Sequence, residues 1–127
     1  MSTRGVFTFS GDGEEYHVYV HHDCYPEGAA AHLSKALESN MVWQLPRFEA
    51  SEFAAGFVAA TKTQPGGVTL MVDRDDYSDT QYCYMVYFNK NINALGLEVR
   101  AINLTDEHDS LLWEGPLKEF IEMGGDL

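Results

Sequence analysis

Hydrophobic and polar positions alternate with a period of two at the start of the chain and through much of its second half, with helical spacing between them. Arg4 to Ser10 reads as a strand, Gly11-Asp12-Gly13 as a turn, and Glu15 to His22 as the returning strand of a hairpin. On that second strand Tyr16, Val18, Val20 and His22 share one face, while His17, Tyr19, His21 and Asp23 share the other. Pro26 suits the first turn of a helix, where a missing N–H costs nothing, and Asp23 is placed to cap it. The helix is expected to run to about Ser39 with Ala29, Leu33, Ala36 and Leu37 inward. A connector, Asn40 to Phe48, leads to a second helix beginning near Ala50–Ser51, with Ser51 or Glu49 at its cap. Its apolar stripe is Phe53, Ala54, Phe57, Val58 and Ala60, and Gln64-Pro65-Gly66-Gly67 ends it.

The remainder is mainly β. Strands are expected over Val68–Val72, Gln81–Asn89 and Leu95–Ile102, with a short one at Ser110–Trp113 and a final helix from Pro116 to Met123. Along Leu95–Ile102 the apolar Leu95, Leu97, Val99 and Ala101 oppose Glu98 and Arg100, as in a half-buried antiparallel strand. The expected fold is α+β, one domain over residues 1–127. Its single antiparallel sheet is built from the N-terminal hairpin and a C-terminal meander, with two helices on one face and a short C-terminal helix.

Length and charge narrow the classes. The 127 residues suffice for a core without disulfide staples. Cys24 and Cys83 are too few and too far apart for a zinc framework and are read as free thiols. No apolar run fits a membrane span and no signal region precedes the first strand, so the cytoplasm is the expected location. Twenty acidic residues face eight basic ones, a net charge of −12. That charge repels phosphate backbones and anionic lipid, so neither nucleic acid nor membrane is an expected partner. It suits solubility, and it equally suits a protein partner with a basic surface.

Four constellations carry candidate chemistry. The first is Tyr16 to Gly28, which gathers His17, His21, His22, Asp23, Cys24 and Tyr25. His21 and Asp23 are about 6.5–7 Å apart on one strand face, within reach of a base and its orienter. His17 and His21, about 13 Å apart, cannot share an ion on a straight strand. A strand-to-helix corner explains the same residues without chemistry. The second is the acidic loop Asp73 to Asp79, whose Asp75, Asp76 and Asp79 are candidate partner contacts. It lacks the glycine and the terminal glutamate of a calcium loop. The third is the strand Tyr82-Cys83-Tyr84-Met85-Val86-Tyr87-Phe88, which reads as core or as a partner or self-association face, with Tyr82 and Tyr84 as its candidates. The fourth is the acid-rich stretch from Glu98 onward, which reads as a row of phosphate-like charges or as an ordinary acidic surface. No phosphate loop, nucleophile elbow or metalloprotease motif is present.

The run Ser2-Thr3-Arg4-Gly5, followed by a strand and His21-x-Asp23-x-Tyr25-Pro26-x-Gly28, resembles a group of small bacteriophage and prophage proteins. Leu45-Pro46-Arg47-Phe48-Glu49-Ala50-x-x-Phe53-Ala54-Ala55 is also similar to members of that group. His22 and Cys24 stand where the group carries Trp and Gly. The resemblance implies a small accessory protein of a mobile element acting in the bacterial cytoplasm, and it implies no activity.

The expectation is therefore an acidic phage-type accessory protein, not an enzyme, that binds and in its specific form inhibits a basic nucleic-acid-binding or defence protein of the host. Its candidate ligand or partner residues are His21, Asp23, Tyr25, Tyr82, Tyr84, Asp75, Asp76 and Asp79, with no catalytic residue, metal or cofactor. Two alternatives stay open: a small enzyme or ligand binder centred on His21, Asp23, Cys24 and Tyr25, and a self-associating phage structural or assembly protein.

Overall fold

A computed structural model describes residues 3–11, 13–38, 49–72, 80–102 and 110–127. Its elements follow the order β1 (Gly5–Gly11), β2 (Glu14–Val20), α1 (Pro26–Glu38), α2 (Ala50–Thr61), β3 (Val68–Met71), β4 (Tyr82–Asn89), β5 (Ala94–Ala101), β6 (Ser110–Pro116) and α3 (Leu117–Glu122). The period-two segments are the strands and the helically spaced segments the helices. β6 runs three residues further than its alternation suggested, and Pro116 caps α3 instead of opening it.

The class is α+β, but the sheet is not purely antiparallel. The six strands lie in the order β3-β2-β1-β4-β5-β6, and β1 pairs with β4 in parallel, Gly5 beside Tyr82 and Phe9 beside Val86. The expected hairpin (β1–β2) and meander (β4–β5–β6) are both present and antiparallel. They are joined edge to edge through β1 and β4, while β3 adds antiparallel to the outer side of β2. Five successive buried residues, Gly5 to Phe9, show why β1 is central: a strand covered on both faces has no solvent side.

One core lies between the sheet and the three helices. Phe7, Phe9, Val18, Val20, Tyr84, Val86, Leu97 and Val99 project from the strands to meet Leu33, Phe53, Phe57 and Phe120 of the helices. Phe7 stacks on its sheet neighbour Tyr84 with ring centroids 4.9 Å apart, while Phe7 against Phe57 at 4.7 Å and Phe9 on Phe53 at 5.2 Å tie the sheet to α2 by aromatic contacts. Glu49 is the cap residue of α2 but makes no side-chain capping bond, so burial of Phe53 and Phe57 holds that helix. The opposite sheet face carries no helix among the described residues. On it Val6, Tyr19 and Met71 form a small separate cluster, and Thr8 Oγ1 is 2.9 Å from His17 Nδ1.

No helix among the described residues is long and apolar enough to cross a membrane.

Candidate functional site

The corner from His21 to Gly28 closes one end of the sheet, and backbone geometry dictates its sequence. Asp23 takes a left-handed conformation, φ 59°, which Asp tolerates better than most residues. The turn swings Cys24 under the sheet, where its N–H donates to the Thr3 carbonyl at 3.1 Å and its side chain packs against Gly5. A Cβ on Gly5 would stand 2.7 Å from the Cys24 Cβ, so only glycine fits beside it. The fully buried Tyr84 crosses from β4 and donates its hydroxyl to the Cys24 carbonyl at 2.5 Å. Pro26 is the first residue of α1. Gly28 follows because any Cβ there would run into the Asp23 carbonyl oxygen.

Asp23 is not the helix cap. Tyr25 holds that place, its carbonyl accepting from the Ala29 N–H at 2.9 Å. No N–H of the opening turn of α1 donates to the Asp23 carboxylate among the described residues, and that side chain, set by the left-handed turn, is exposed.

The proposed base–orienter pair is not assembled. The Tyr19 hydroxyl and His21 Nδ1 lie 2.8 Å apart on the helix-free face, and no hydrogen bond or ion pair joins His21 to Asp23 among the described residues. His17, further along the same face, bonds to Thr8 and lies 3.8 Å from the Glu15 carboxylate. No group of three metal-ligating side chains exists among the described residues. Burial pushes the Cys24 thiol up to about 12, with the Asp23 charge adding to the effect, so the sulfur stays protonated at neutral pH. Its Sγ lies 3.3 Å from the Val20 carbonyl, a thiol donating inward.

The remaining candidates divide by exposure. Tyr84 is structural and inaccessible, and burial raises its phenol well above the usual tyrosine range. Tyr82, two residues earlier on the same strand face, is half-buried and stacks on Tyr84 with centroids 6.2 Å apart. Tyr25 is 42% exposed. The acidic loop holding Asp75, Asp76 and Asp79 lies outside the described residues, as do the connector from 40 to 48 and the acids Asp106, Glu107 and Asp109.

Tyr25 and Tyr82 come together on an open groove of about 880 Å³ at the helix side of the corner. The start of α1 gives Tyr25, Pro26 and Glu27, β4 gives Tyr82, and the turn after α3 gives Met123 and Asp126. Leu112 completes it. β6 carries an irregularity opposite Val99/Arg100, which leaves Leu112 out of the ladder and 44% exposed. The α3 turn is fixed by two left-handed glycines, Gly124 and Gly125, and a Cβ at Gly125 would strike the Pro26 carbonyl. That close approach sets Asp126 beside the opening turn of α1, where its charge offsets the helix dipole. None of the described lining residues is Lys or Arg.

One residue not singled out by its sequence context belongs to the same corner. His32 of α1 packs edge-on against Phe7, 6.2 Å between ring centroids, and its Nε2 is shut from solvent without a hydrogen-bond partner. Burial lowers its pKa, so the ring is neutral near pH 7. Its position one turn from Ala29 and Ala36, on the inward side, was the available signal.

Comparison with protein-family models, curated proteins and solved structures finds no match for this chain.

Proposed function

We propose that the protein is a non-catalytic binding protein that engages a basic protein partner through the acidic, tyrosine-bearing groove at the strand-to-helix corner. The observation that carries this reading is the make-up of that groove. Two half-exposed tyrosines and exposed aliphatic carbons sit among Glu27 and Asp126 with no cation among the described lining residues, in a chain of net charge −12. Such a surface attracts a cationic partner over long range and offers it apolar contact at short range. The phage-protein resemblance supports a specific version, in which the partner is a nucleic-acid-binding or defence protein of a bacterial host and the contact inhibits it by occupying its basic face.

The two other readings have less behind them. A catalytic corner would need an ionisable nucleophile, and Cys24 is held as a thiol while His21 and Asp23 are not joined. Self-association through the Tyr82–Phe88 strand could not use its edges, since β4 is paired on both sides by β1 and β5, which leaves only its helix-free face for such contact.

The test is capture of host proteins on the immobilised chain at ionic strengths of about 0.1 M and about 1 M, across which the screening length falls from about 10 Å to about 3 Å. The proposal expects a basic protein retained at the lower salt and released at the higher. A partner that is retained equally at both, or is not basic, refutes it.

A further inference from the structure

We infer that the groove's specific occupant is an arginine side chain presented by the partner, its guanidinium lying against Tyr25 and Tyr82 and its charge met by Glu27 and Asp126. This rests on the binding reading above and deepens it by naming the group recognised. Three features of the groove point the same way. Its tyrosines come from different elements, the start of α1 and the start of β4, and both line one opening. Tyr82 is pre-ordered by stacking on the buried Tyr84, which is itself fixed to the Cys24 carbonyl. Little ordering entropy therefore remains to be lost when a cation settles on the ring. The carboxylates Glu27 and Asp126 are exposed, and they more than offset the partial positive charge of about half a unit at the start of α1.

Arginine fits this lining better than lysine. A planar, weakly hydrated guanidinium stacks on aromatic faces while its edge donates to carboxylates, whereas an ammonium keeps its water more tightly. Leu112 and Met123 supply apolar contact for the methylene stem of the same side chain. An anion is disfavoured by the two carboxylates, and a purely apolar ligand would leave both of them partly desolvated without a partner.

The probe is acetyl-Gly-Arg-Gly-amide, titrated into the isotopically labelled full chain and followed by NMR of tyrosine ring and backbone amide signals. The lysine and citrulline tripeptides run in parallel. The expected result is a saturable shift of the Tyr25 and Tyr82 ring signals with arginine, a weaker one with lysine, and none with uncharged citrulline. Tyr25→Leu and Glu27→Gln, both at exposed positions, should each weaken arginine binding by about two- to five-fold while leaving the remaining amide spectrum in place. Citrulline acting like arginine, lysine matching it, or shifts scattered over surface carboxylates without Tyr25 and Tyr82 would each overturn the inference. Salt-sensitive binding of a captured basic protein whose affinity is unchanged in Tyr25→Leu would overturn this inference and leave the broader binding function standing. Salt-insensitive capture would remove both.

Discussion

Replacing Tyr84 by Phe deletes one oxygen atom, and the structure specifies what that atom does. The hydroxyl donates to the Cys24 carbonyl at 2.5 Å, in a place where both residues are fully shielded from solvent. Phe fills the same ring volume, so the stacks on Phe7 and Tyr82 persist and no cavity of consequence opens. What remains is a buried carbonyl without this partner, a situation costing about 1–3 kcal/mol. At about 2.1 cal/mol/K per residue, unfolding of 127 residues carries about 0.27 kcal/mol/K at the midpoint. The melting temperature should therefore drop by about 4–11 °C. Thermal unfolding followed by circular dichroism reads this directly, and urea unfolding should show a lower midpoint with an unchanged slope. Tyr82→Phe serves as the control, since Tyr82 is half-buried, and should stay within about 0.5 kcal/mol of the parent. A Tyr84→Phe variant as stable as the parent would refute the view that this bond anchors the corner.

Other consequences follow from the same geometry. Gly28→Ala should destabilise by more than about 2 kcal/mol through collision with the Asp23 carbonyl, although helix propensity alone favours alanine by about 1 kcal/mol; urea denaturation decides the sign. The folded-state pKa of His32 lies below the ordinary histidine value of 6.5, so its contribution is present above that pH and is lost as pH falls through the folded value. Stability should decline on acidification below about 6.5, and His32→Gln should flatten that limb. Its neighbours His22, Asp23 and Lys35 also act on the ring, so the comparison is made at matched salt. Cys24 runs the opposite way. Its folded pKa is raised from 9.0 to about 12, so its contribution is intact below pH 9 and is lost as pH rises toward 12. In the native protein this thiol should react with a disulfide reagent only at the rate of unfolding or local opening.

The elements were legible because periodicity is a local property. Alternation marked the hairpin and the meander, and Pro26 marked the start of α1. The joining of hairpin to meander was not legible, because parallel pairing of β1 with β4 connects residues 77 positions apart and leaves no short-range pattern. The one available hint was that Val6-Phe7-Thr8-Phe9 lacks a solvent-facing side, the mark of a central strand. At the corner, proline and glycine spoke plainly, and Tyr84 did not. Tyrosine in a strand suits an exposed interface as well as a buried donor, and only the fold separates Tyr84, inside, from Tyr82, at the groove. The groove draws on four separate stretches of chain. Leu112, Met123 and Asp126 therefore carried no sign of belonging with Tyr25.

The most direct test of the account compares the parent chain with a Glu27→Lys/Asp126→Lys variant, both at exposed positions, for binding to the basic protein captured at low salt. Titration calorimetry at several ionic strengths gives the affinity and its salt dependence. The expected result is binding by the parent that weakens steadily as salt rises, and loss of at least ten-fold in affinity for the variant at about 0.1 M salt, measured well below a melting temperature that two lysines at the start of α1 lower by only a few degrees. Equal affinity for parent and variant, or an affinity indifferent to salt, would contradict it.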